Sequence, residues 1–344
     1  MDKRIAVLTG DGDCPGLNAV IRAIVRKSIG LGNSVMGIRK SWKGILEKDV
    51  TSLDMNSVSD IIRKAGTILG SSRTNPFKYE DGPEKVLKHL TELDIDVLIA
   101  VGSIDTLMVS EKLFERGAHV IGVPKTIDND LPLTDRAFGF DTAVATVTDA
   151  IDKVHSTAES HDRVIIVEVM GRYTGWIATY AGIAGGADCI LIPERVFSIE
   201  DVCKLIRLRH QRGKDFSIIV VAEGARPEEI NRFVVKAQRV DEFGHKQLGG
   251  IGNFIAEEIE RLTGFETRVT MLGPVQRGGA PSAFDRVLAT RFGVKAAEMA
   301  ENGAFGKMVA LQGNRVVEVN LSELIAKVKP VDSDLYDIAE VFFG

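Results

Sequence analysis

The stretch GAHVIGVPKTIDNDL, Gly117–Leu131, decides how this chain is read. Its first half is apolar and ends in β-branched residues, the pattern of a buried strand. Pro124 is expected to stop that strand and to fix the backbone beyond it. One lysine, one hydroxyl and two carboxylates then fall within Lys125–Asp130. In an extended or turn segment Asp128 and Asp130 sit two apart and point the same way. Such a cluster suits three tasks. A carboxylate can take a proton from a hydroxyl, a second can hold Mg²⁺ directly or through water, and a lysine can neutralise phosphate charge. The plain alternative is a polar loop in which Asp and Asn cap a turn.

Further buried-strand runs lie on either side: Ile5–Leu8, Val97–Val101, Val120–Val123, Val164–Val169, Ile190–Ile192, Ile218–Val221 and Val269–Leu272. Amphipathic stretches of helical length separate them, among them Asn18–Ile29, Leu107–Arg116, Thr142–Ser156, Ile199–Gln211 and Phe254–Leu262. Strand–helix alternation predicts a parallel, doubly wound α/β architecture. Ligands of such folds bind beyond the carboxyl ends of the strands, and every motif is expected at such an end.

The chain has 344 residues, 44% hydrophobic and 26% charged, enough for two lobes with separate cores. A net charge of −5 argues against nucleic-acid or membrane-surface partners. No apolar run approaches the ~20 residues of a membrane-spanning helix. Met1–Gly10 enters a strand without an apolar signal region. Cys14, Cys189 and Cys203 have no CxxC spacing, so they read as small buried residues of a reducing cytoplasm.

Glycines at 10, 12 and 16 in TGDGDCPGLNAVIR, Thr9–Arg22, let backbone amides approach an anion where a strand opens into a helix. The chain has neither GxxxxGK[ST] nor GxGxxG, which excludes a P-loop and weakens a dinucleotide-binding reading.

The octapeptide Pro124–Leu131 resembles the signature of the phosphofructokinases. Six further segments resemble that family in its order. They are Thr9–Arg22, GTILGSSR (Gly66–Arg73), VGSIDT (Val101–Thr106), Arg163–Ala178, AEG (Ala222–Gly224) and TRVTMLGPVQRGG (Thr267–Gly279). The resemblance implies two Rossmann-like doubly wound lobes with mainly parallel sheets and an active site in the cleft between them. Residues 1–138 with roughly 277–325 would form the phosphoryl-donor lobe, and 139–276 the sugar-phosphate lobe. It implies Asp128 as the base that deprotonates a sugar 1-hydroxyl, with Lys125, Thr126, Asp130 and Arg172 completing the catalytic set. Gly12, Arg73, Gly102, Asp105 and Lys125 would contact donor phosphate. Thr126, Asp128, Met170, Gly171, Arg172, Glu223 and Arg277 would bind fructose 6-phosphate. Arg163 and Arg268 would reach in from a neighbouring subunit of a homodimer or homotetramer. The implied activity is a cytoplasmic, Mg²⁺-requiring 6-phosphofructokinase of glycolysis. Asp105 and Lys125 match the family's pyrophosphate users, so pyrophosphate is the expected donor and ATP the alternative.

Three departures stand out. Ile104 replaces the family's metal-holding carboxylate, and an isoleucine cannot ligate Mg²⁺. Asp11 replaces a glycine beside the donor. Pro274 stands where a polar residue is usual. The metal candidates are then Asp11 and Asp130, with a carboxylate lost from one loop regained on the other. A catalytically impaired paralogue that binds sugar phosphate is the competing class. A kinase of the NAD or lipid type is opposed by the sugar-reading set.

Overall fold

The computed structural model describes residues 2–230, 235–240, 242–244, 246–324 and 328–344. Met1 and residue 325, the outer ends of the two segments expected for the donor lobe, lie outside the described residues. So do 231–234, 241 and 245 of the expected sugar-phosphate lobe. The chain starts β1 (Arg4–Thr9), α1 (Leu17–Gly30), β2 (Ser34–Ile38), α2 (Ser41–Glu47), β3 (Val50–Leu53) and α3 (Gly82–Glu92). It continues with β4 (Val97–Gly102), α4 (Ile104–Phe114), β5 (Val120–Thr126), β6 (Phe138–Gly139), α5 (Phe140–His161) and β7 (Val164–Val169). Then come α6 (Trp176–Ala184), β8 (Cys189–Leu191), α7 (Ile199–Gln211), β9 (Ser217–Ala222), β10 (Val235–Val240) and β11 (Lys246–Leu248). It closes with α8 (Ile251–Thr263), β12 (Thr267–Met271), α9 (Ala283–Asn302), β13 (Lys307–Gln312), β14 (Arg315–Asn320) and α10 (Ser333–Glu340).

Two sheets organise these elements. An eight-stranded sheet runs β14-β13-β5-β4-β1-β2-β3, with β6 paired to β5. A four-stranded sheet runs β12-β7-β9-β8. The second is parallel throughout, and the first is parallel except at its edge pairs β2–β3 and β13–β14. Strands β4, β5, β7 and β9 are buried along their whole length, as strands covered by helices on both faces must be. Each apolar side chain so enclosed contributes about 1.5–3 kcal/mol.

The first correction falls at Pro124. The strand does not stop there: β5 runs on to Thr126. On one side Pro124 stays in register with Gly102 of β4. On the other, β13 pairs only with Ile121 and Gly122, and β6 takes over at Lys125 and Thr126. Proline therefore stands in the gap between two partners, where no ladder asks for its missing N–H. As a result Lys125 and Thr126 belong to the strand rather than to a loop.

After β14 the chain crosses to the smaller sheet. The Lys329 amide donates to the Asp130 carbonyl at 2.7 Å, the Val331 amide to Glu194 Oε1 at 3.0 Å, and the Tyr336 hydroxyl to the Ile190 carbonyl at 2.6 Å. Among the described residues no helix is long and apolar enough to cross a membrane.

Candidate active site

A pocket of about 140 Å³ lies where the carboxyl ends of the two sheets face each other. One wall comes from the larger sheet: Asp11 after β1, Ser103, Ile104 and Asp105 after β4, and Lys125, Thr126, Asp128 and Asp130 at the end of β5. The other comes from the smaller sheet: Met170, Arg172 and Tyr173 after β7, Glu223 after β9, and Arg277 beyond β12. Arg73, Phe243 and Val328 complete it.

Lys125 is only 2% exposed. Its ammonium donates to the carbonyls of Asp11 at 3.2 Å and Gly12 at 3.0 Å, which locks the glycine loop onto β5. Burial lowers its pKa, partly offset by Cys14 and by the Asp11 carboxylate. The loop is fastened a second time, because the Gly12 amide donates to Ser71 Oγ at 2.9 Å. Asn18 pins the Gly66–Arg73 segment, accepting from the Ile68 amide at 2.9 Å and donating to the Lys64 carbonyl at 3.0 Å. These bonds set the chain path to Arg73.

Past Thr126 the extended reading fails. Asn129 has φ 51°, in the left-handed region, so a turn and not strand alternation turns Asp128 and Asp130 to the same pocket. Thr126 Oγ1 accepts from the Asp128 amide at 3.0 Å and donates to Asp130 Oδ1 at 3.1 Å, so it braces both carboxylates. Burial raises the Asp128 pKa against the opposing pull of Arg277, Arg172 and Lys125. Burial, then repulsion from Asp128, raises Asp130 to about 6. The same two causes raise Glu223 to about 7.

The tips of β7 and β9 are stitched together. The Glu223 amide donates to the Val169 carbonyl at 2.8 Å and the Gly224 amide to the Gly171 carbonyl at 3.0 Å. A Cβ on Gly224 would stand 1.9 Å from the Arg172 carbonyl oxygen, so only glycine allows this approach. Arg172 and Glu223 are thereby held side by side. The Met170 amide donates to Gln276 Oε1 at 3.2 Å, which ties the Gly273–Arg277 turn to the same edge. Arg277 is not at a strand end as expected. It closes that 3-10 turn, past the end of β12 at Met271.

Arg163 and Arg268 depart from the rule that motifs sit at carboxyl ends. Both lie at the amino-terminal ends of β7 and β12, away from the pocket lining. Arg163 Nη2 stands 2.9 Å from Glu266 Oε1, and Arg268 pairs with the same oxygen. Gly12, Gly102 and Gly171 shape the walls without lining them. Phe243 and Val328 were not anticipated, since no local pattern marks either. Tyr173 sits inside MGRYTG but was not singled out, and Ser103 was read only as the replacement of a glycine.

Among the described residues no three His, Cys, Asp or Glu side chains group as a metal site. Asp11 Oδ1 and Asp128 Oδ1 are nevertheless buried without a protein partner. Mg²⁺ is commonly held by one or two carboxylates together with substrate phosphates. The donor set fits that use, and not a cage built wholly of protein.

A family model described as phosphofructokinase matches residues 4–300. The pyrophosphate–fructose 6-phosphate 1-phosphotransferase of Amycolatopsis mediterranei (strain S699) is 53% identical over 99% of this chain and 100% of its own. The ATP-dependent 6-phosphofructokinase of Corynebacterium efficiens is 48% identical over 99% of each. The structure of phosphofructokinase from Saccharomyces cerevisiae superposes with a TM-score of 0.82 at 28% identity, over 99% of this chain. The present chain spans 47% of that yeast chain, about half its length.

Proposed function

The chain belongs to the phosphofructokinase family, and from that premise we propose that it transfers a phosphoryl group from pyrophosphate to the 1-hydroxyl of fructose 6-phosphate. The observation that carries this reading is the placement of Lys125 and Asp128 in one pocket with Arg172, Glu223 and Arg277 opposite. Asp128 takes the proton as the sugar oxygen bonds to phosphorus and the bridging P–O bond breaks. Its unpartnered Oδ1 is the acceptor. Lys125 and Arg73 offset the charge on the leaving phosphate. Arg172 and Arg277 are suited to phosphate through planar, multidentate donors. Glu223 and Met170 meet the sugar. Relatives named for pyrophosphate and for ATP both exist, and Lys125 with Asp105 favours the smaller donor.

Mg²⁺ would be held by Asp130 or Asp11 together with donor phosphates, and when bound it neutralises their negative charge. Arg163 and Arg268 are assigned to a neighbouring copy's sugar-phosphate site in a homodimer or homotetramer. We place the enzyme in the cytoplasm, where three free thiols stay reduced. The test is a coupled assay with fructose 6-phosphate, run with each donor and with and without Mg²⁺. Turnover with pyrophosphate and Mg²⁺ is expected. Turnover with ATP and none with pyrophosphate reverses the donor assignment.

A further inference from the structure

Helix α4 begins without help from its own N-cap, because the Ser103 side chain makes no capping bond. Its first-turn donors converge instead on a carboxylate from another loop. Asp11 Oδ2 accepts from the Ser103 hydroxyl at 2.8 Å, from the Thr106 amide at 2.8 Å, and from the Thr106 hydroxyl. An amide and two hydroxyls at a helix amino terminus form a cradle for an anionic oxygen. Asp11 fills it while facing the same pocket as Arg73 and Lys125. The residue does so from φ 59°, a backbone region that disfavours most side chains and tolerates Asp, Asn and Gly. Three hydrogen bonds on one oxygen account for its staying there.

We infer that Asp11 is a donor-specificity residue: its carboxylate occupies the anion cradle of α4 and keeps the phosphoryl donor out of it. The inference rests on the proposed reaction. With the cradle filled, donor phosphates are confined to the rest of a pocket of about 140 Å³ lined by Arg73, Lys125, Arg172 and Arg277, which suits a small donor. Removing the carboxylate frees three donors and a negative charge's worth of repulsion, and so opens a second phosphate subsite.

Equilibrium binding of pyrophosphate to the full chain, measured in chelator so that no metal contributes, tests this. Two variants fit the backbone at this position. Asp11→Gly empties the cradle, and Asp11→Asn keeps an acceptor there without the charge. Pyrophosphate is expected to bind Asp11→Gly at least about tenfold more tightly than the native chain, the scale of losing one nearby like charge. Fructose 6-phosphate affinity, expected to hold within about twofold, reports that each variant is folded. Asp11→Gly is also expected to melt lower and to regain the loss when pyrophosphate is added, because the anion replaces the missing acceptor. Tightening in Asp11→Asn as well assigns part of the effect to charge, and tightening in Asp11→Gly alone assigns it to occupancy. A glycine variant that binds sugar phosphate normally and pyrophosphate no better than the native chain overturns the inference. A native chain that turns over with ATP alone overturns the donor reading instead, so the two failures are distinguishable.

Discussion

Glu223 follows β9 with its carboxyl among Asp128, Arg172, Glu168 and Arg277, and burial raises its pKa from 4.5 to about 7. A carboxyl whose pKa is higher folded than unfolded contributes stability that is full below about pH 4.5 and lost as pH climbs through about 7. Above that range the folded protein carries an ion it holds at a cost. Glu223→Gln is therefore expected to stabilise the chain at pH 8 by up to about 3 kcal/mol, with little change near pH 5. Urea unfolding at both pH values checks this. Under the proposed function, in which Glu223 meets the sugar, the same variant should bind fructose 6-phosphate more weakly while gaining stability. Asp130, at about 6, follows the same sign over a narrower window.

Among the elements, the parallel tips of β7 and β9 set the edge of the pocket that carries Met170, Arg172 and Glu223. Their joint depends on Gly224, whose hydrogen takes the place where a methyl would overlap the Arg172 carbonyl. Gly224→Ala must part the two strand ends. It is expected to cost about 1–3 kcal/mol in stability and to raise the Michaelis constant for sugar phosphate more than it lowers kcat. Melting curves and steady-state kinetics read the two effects separately. Most strands legible in the sequence were those buried on both faces, because such runs are uninterrupted by polar residues; β12, read as Val269–Leu272, instead spans Thr267–Met271 and is buried only at Thr267. The strands at the two ends of the larger sheet were not read: β2 carries glycine, β3 and β14 are broken by polar residues, and β13 offers only four apolar residues between Lys307 and Gln312. Helix α9 was not read either. It packs against α1, with Gly293 close against the Val20 carbonyl and Ala23, and Ala289, Ala296 and Ala300 are buried along the same helix. Small residues at a close helix contact do not advertise an apolar face.

Across the whole molecule, Arg163 and Arg268 lie at the far ends of β7 and β12 from the cleft and share Glu266. A strand of six residues spans roughly 20 Å, so within one chain neither side chain reaches the pocket. If they serve a neighbouring copy, Arg268→Ala should weaken fructose 6-phosphate binding by about tenfold or more, as loss of a charge-assisted bond does. Mixing that variant with Asp128→Asn should raise turnover at low fructose 6-phosphate above that of Arg268→Ala alone, because one hybrid site then has both groups intact. Activity measured after co-refolding the two variants checks this. The segment 328–344, which binds Asp130 at one end and the smaller sheet at the other, ties the walls of the cleft together.

By itself the sequence determined the parallel α/β class, the buried strands and most of the pocket lining, because these depend on short-range pattern and on motifs at strand ends. Folding decided what those groups do to one another. Pro124 is harmless in β5 only because two partner strands hand over around it, and Asp128 and Asp130 share a pocket through a left-handed turn at Asn129. Gly117–Leu131 contains the lysine but not the carbonyls of Asp11 and Gly12 that hold it. Asp11 itself looked like a lone charge beside a phosphate site. Only the approach of α4, more than ninety residues away in sequence, made it the occupant of a cradle. Contacts between distant loops depend on where whole sheets place them, and no local pattern of residues encodes that distance.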